Sequence, residues 1–124
     1  MTDPRALYIH VPFCAHRCGY CDFTLVAGKD HLADKYLDAL TLEIDRELRT
    51  SNGRDQSANE KPEIDTVFFG GGTPTQLSAA QLERLGAIVH ERFQLTSTAE
   101  FSVEANPARM TDDRISVLAN AGVN

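Results

Sequence analysis

No apolar run in these 124 residues approaches the ~20 needed for a membrane-spanning helix. The first residues, Met1 to Arg5, are polar and lack the basic and apolar regions of an export signal. Nor is there a basic stripe: the net charge is -6 and the pI about 5.1, which argues against a nucleic-acid backbone as partner. Cysteine is scarce. Cys14, Cys18 and Cys21 are the whole complement, and they fall within eight residues. An odd number of thiols packed so tightly makes a poor disulfide framework and a reasonable metal site. Together these absences predict a cytoplasmic chain without a transmembrane segment, its thiols reduced and free to bind metal.

What is present reads as an ordinary globular chain, 42% hydrophobic and 24% charged, and long enough for one domain at most. Leu7 to Val11 form a β-branched and aromatic run ending at Pro12, the pattern of a short buried strand followed by a loop. From Asp30 to Thr50, Leu32, Tyr36, Leu37, Leu40, Ile44 and Leu48 recur at steps of three and four, an amphipathic helix with a solvated acidic face. Residues Ser51 to Pro62 show no periodicity and read as a loop. A second strand, Asp65 to Phe69, runs into three glycines.

Ser78 and Gln81 form a capping-box pattern ahead of Leu82, Leu85, Ile88, Val89 and Phe93, a second helix. Glu100 to Glu104 alternate as a third strand, and a third helix starts after Thr111, includes Ile115 and Leu118, and stops near Gly122. Strand, loop and helix in that order, three times over, call for parallel strands with right-handed crossovers in an α/β layer or barrel. No sequence repeat accompanies the repeated architecture. With a strand expected next, the chain reads as cut at Asn124.

The cysteines follow the first strand directly, at the end where α/β folds place their ligands. Thiolate sulfur selects Fe-S clusters, zinc or Cu(I). A [4Fe-4S] cube normally takes four thiolates, so three leave one iron open to a non-protein ligand. Zinc could instead take the three cysteines with His16 or His10, making a small zinc-binding interaction module. That alternative suits two knuckles better than one loop. Buried, inert cysteines fit poorly beside His16, Arg17, Gly19 and Asp22.

The stretch Gly70-Gly71-Gly72-Thr73-Pro74 joins a strand to a helix, yet lacks the Lys and the spacing of a phosphate loop. Glycines there let a ligand approach backbone groups closely; they also simply make tight turns. Glu104, before Ala105-Asn106-Pro107, could accept hydrogen bonds from a ligand, or stand as a solvated charge at a strand end. His10 on the first strand suits a hydrogen-bonded core residue, and His31 and His90 suit exposed helix positions.

Cys14-Ala-His-Arg-Cys18-Gly-Tyr20-Cys21 resembles the C-x3-C-x-aromatic-C signature of the radical S-adenosylmethionine (SAM) superfamily. The resemblance implies a partial (β/α) barrel of which this chain is the N-terminal part, three βα units. It implies that Cys14, Cys18 and Cys21 hold a [4Fe-4S] cluster whose open iron is chelated by the methionyl group of SAM, with the reduced cluster giving one electron to the sulfonium. On the same resemblance Tyr20 lies beside the adenine, Gly71, Gly72, Thr73 and Pro74 bind the methionyl group, and Glu104 contacts SAM.

Two longer stretches, Tyr8 to Cys14 and Phe68 to Thr75, are similar to the group containing oxygen-independent coproporphyrinogen III oxidase and the HemW-type heme chaperones. The oxidase carries a further cysteine two positions after the third. Here Phe23 stands there, after Asp22, which points to the chaperone branch. That branch implies heme as cargo and respiratory heme-accepting proteins as partners, with heme-binding residues downstream of Asn124. The oxidase alternative implies oxidative decarboxylation in porphyrin biosynthesis.

Overall fold

The computed structural model describes residues 5–14, 26–27, 30–50 and 61–124. Cys18, Tyr20, Cys21 and Phe23 lie outside the described residues, as does most of the expected loop at 51–60, and of Cys14 only the backbone is described. The elements run β1 (Ala6–Val11), β2 (Phe13–Cys14), β3 (Val26–Ala27), α1 (Ala33–Thr50), β4 (Glu63–Gly71), α2 (Ala79–Arg92), β5 (Gln94–Val103) and α3 (Asp112–Ala121). β1, β4 and β5 form one parallel sheet in that order. Three parallel strands alternating with helices are the expected architecture.

The register sets Ala6–Val11 against Thr66–Gly71, and Thr66–Phe69 against Glu100–Val103. Ile9, Val11, Val67, Phe69 and Phe101 are buried, together with Leu37 and Ile44 of α1 and Leu82, Leu85, Ile88 and Val89 of α2. Phe69 and Phe101 meet edge to face with ring centroids 5.1 Å apart. Burying each such side chain is worth about 1.5–3 kcal/mol, and this shared core holds the strand ends in one plane.

The helix signals act as read. Ser78 Oγ accepts from the Gln81 amide at 3.1 Å, and Gln81 Oε1 accepts from the Ser78 amide at 2.9 Å. Gly122 ends α3 in the left-handed conformation, its amide donating to Leu118 and Ala119 carbonyls.

Several expectations need correction. β4 includes Gly70 and Gly71, so the glycines begin inside the strand. β5 starts six residues earlier than its alternating pattern, at Gln94, and ends at Val103, leaving Glu104 just beyond it. Gln94 and Leu95 pair with Glu63 and Ile64 before the register shifts to Thr66 opposite Glu100; the polar residues spanning that bulge hide the early start. Ile115 is 48% exposed and Leu32 36% exposed, so neither is core. The acidic face of α1 is solvated as expected at Asp38, Glu43 and Glu47, while Asp45 is half-buried against Arg92. Among the described residues no helix is long and apolar enough to cross a membrane.

Candidate functional site

Parallel strands deliver their following loops to one edge of the sheet. β1, β4 and β5 end there at Val11, Gly71 and Val103. The cysteine segment starts at this edge, where β2 pairs in parallel with β3, Phe13 opposite Val26 and Cys14 opposite Ala27. The two roots of the segment are therefore clasped side by side. Neither strand was read from sequence, since two residues carry no periodicity. Phe13 is buried, and Tyr36 of α1 meets it edge-on at 5.5 Å. The Tyr36 hydroxyl donates to the His10 carbonyl, and burial, followed by the Glu43 and Tyr8 charges, pushes its pKa up to about 12.

The glycine turn packs onto that root. Gly71 has φ +106°, and a Cβ there would sit 2.7 Å from His10 Nδ1, so the backbone and the neighbouring ring both demand glycine. The His10 Nδ1 is in turn hydrogen-bonded to the Tyr8 hydroxyl at 3.0 Å, which agrees with a bonded rather than a ligating histidine. The Gly72 amide donates to the Val11 carbonyl and the Thr73 amide to the Phe13 carbonyl, each at 2.7 Å. Pro74 has no amide hydrogen. Residues 72–74 thus have no amide left for an anion nest, which removes the phosphate alternative on geometry. The Thr73 and Pro74 carbonyls are taken as well, accepting from the Gln76 amide at 2.8 Å and the Leu77 amide at 3.1 Å.

The third loop is joined to the second. The Glu104 amide donates to the Phe69 carbonyl at 2.9 Å, placing this exposed residue at the same edge as the glycine turn. Thr75 is fully buried, and its hydroxyl oxygen accepts from the Asn106 amide at 3.1 Å. Asn106 Oδ1 accepts from the Ala108 amide at 3.0 Å, capping the short turn at 107–109. Thr75 carries no recognisable role in the sequence alone. A hydroxyl directly after Gly-Gly-Gly-Thr-Pro was the available signal.

The described part of the site therefore brings together the root of the cysteine segment, Gly71 to Pro74 and Glu104. A carboxylate at the same edge as the glycine turn suits a hydrogen-bond donor on a ligand, and three soft thiolates in the sequence suit an iron-sulfur cluster. Such a cluster would supply one-electron reducing power, and the chain's own part would be to hold it and align its partner.

Comparison with known proteins agrees with this geometry. The family model of the Radical SAM superfamily matches residues 8–124. The chain is 40% identical over 124 residues to the heme chaperone HemW of Lactococcus lactis, covering all of this chain and 30% of that protein. It is 37% identical over 122 residues to the oxygen-independent coproporphyrinogen III oxidase of Escherichia coli, covering 98% of this chain and 25% of that protein. The solved structure of the E. coli coproporphyrinogen III oxidase HemN, described as a radical SAM enzyme, superposes with a TM-score of 0.80 at 36% identity, over 96% of this chain and 26% of that one. The chain spans about 30% of the length of the chaperone relatives it matches. By strand order, by the turn beside the cysteine root and by sequence, this chain belongs to the radical SAM superfamily.

Proposed function

We propose that this chain is the cluster- and SAM-binding part of a heme chaperone, a protein that binds heme and passes it to respiratory acceptors. Cys14, Cys18 and Cys21 hold the [4Fe-4S] cluster. Gly71, Gly72, Thr73 and Pro74 receive the methionyl group of SAM, Glu104 contacts the cofactor, and Tyr20 lies beside the adenine. One observation carries the choice of branch. Phe23 stands two positions after Cys21, where the oxidase pattern has its additional cysteine.

The deciding experiment incubates the full-length protein, anaerobically and under reducing conditions, with SAM and either heme or coproporphyrinogen III. The chaperone reading expects stable heme binding and no protoporphyrinogen IX. Formation of protoporphyrinogen IX would assign the protein to the oxidase instead.

A further inference from the structure

We infer that Gly72 is a positioning residue, a zero-thickness spacer that sets the SAM-binding turn directly against the root of the cluster loop through the backbone of Phe13. A Cβ on Gly72 would lie 2.7 Å from the Phe13 carbonyl oxygen, 2.9 Å from its nitrogen and 3.0 Å from its carbonyl carbon. All three are main-chain atoms, so no side-chain rotation relieves the clash. The same Phe13 carbonyl accepts the Thr73 amide at 2.7 Å, and the Gly72 amide is held by Val11. Phe13 is itself fixed from the other side by pairing with Val26 and by Tyr36.

Gly72 therefore differs from Gly71. Gly71 is glycine for its positive φ and the His10 ring, whereas Gly72 has no positive φ and is glycine because the cluster-loop backbone occupies the space of a side chain. Cys14 is the next residue after Phe13. Any group inserted at position 72 must push the turn away from the backbone that carries the first cysteine, and a cofactor held by both would lose contact with one of them. Alignment of this kind is sensitive to shifts of about 1 Å. The inference rests on the proposed assignment of this turn to SAM, not on the choice between chaperone and oxidase.

The test compares Gly72→Ala with Gly86→Ala in anaerobically reconstituted protein. Gly86 lies on α2 where a Cβ would meet Ala121 Cβ at 3.2 Å, so its variant alters packing away from the site. For Gly72→Ala we expect wild-type iron content, a SAM dissociation constant raised at least about tenfold, and a weakened SAM-induced change in the paramagnetic resonance spectrum of the reduced cluster. Gly86→Ala should leave SAM affinity within about twofold whatever it does to the melting temperature. Unchanged SAM affinity in Gly72→Ala, or an equal loss in Gly86→Ala, overturns the inference. A second measurement needs no variant: hydrogen exchange of the wild-type protein should show the Gly72 and Thr73 amides protected before SAM is added. Protection appearing only with SAM would equally overturn it.

Discussion

Thr75 has a hydroxyl with no solvent exposure and one clear duty, to accept the Asn106 amide. Replacing it with valine keeps the shape and removes that bond, at a cost of about 0.5–1.5 kcal/mol. Urea denaturation should show the loss for Thr75→Val and less of it for Thr75→Ser, which keeps the acceptor; equal losses would mean that packing, not the bond, matters. Cys18 makes a different kind of test. Two thiolates seldom hold four irons, so Cys18→Ser should lose the cluster on reconstitution, and full iron retention would contradict its place in the ligand set. At this scale the sequence is most informative where chemistry is rare, as in three clustered thiols, and least where a common residue acts through its backbone. Phe13 and Gly72 meet through main-chain atoms that no side-chain pattern announces.

Among elements, α1 is tied to its neighbours by polar groups as well as by its apolar stripe. Arg92 of α2 grips Asp45 with Nε at 2.7 Å and Nη2 at 3.3 Å, and this hydrogen bonding, more than the charge alone, holds the Asp45 carboxyl below its usual range. A carboxyl with a lowered folded pKa contributes stability that is complete above its unfolded value of about 3.9 and lost as pH falls through the lower folded value. Stability measured in urea between pH 7 and pH 2 should therefore fall less for Asp45→Asn than for the wild type; identical pH dependence would remove Arg92–Asp45 from the account. Tyr36 works in the opposite direction. Its raised pKa means the contribution is complete below about 10 and lost as pH climbs towards 12, and Tyr36→Phe, losing the bond to β1, should cost about 0.5–1.5 kcal/mol at neutral pH. Helices were readable because their signals are local: the Ser78–Gln81 box and Gly122 behave as their residue types require. β5 was only half readable, because its early residues Gln94 and Leu95 are strand by virtue of Glu63 and Ile64 across the sheet.

For the molecule as a whole, the parallel sheet followed from three strand-helix alternations and the gathering of loops at one edge followed from the strands being parallel, whereas the strand order β1-β4-β5 is given by the structure alone. The metal content is the broadest check on the reading. Anaerobic reconstitution should give a brown protein with about four irons per chain, whereas a colourless protein holding one tight zinc would return the cysteines to a structural role. The clasp of Phe13–Cys14 with Val26–Ala27 bears on how the protein is made. A two-residue ladder has little stability by itself, and its support comes from Thr73, whose amide holds the Phe13 carbonyl. During synthesis the cysteines emerge long before Thr73, so the roots of their loop lack this fastening until β4 has left the ribosome and docked.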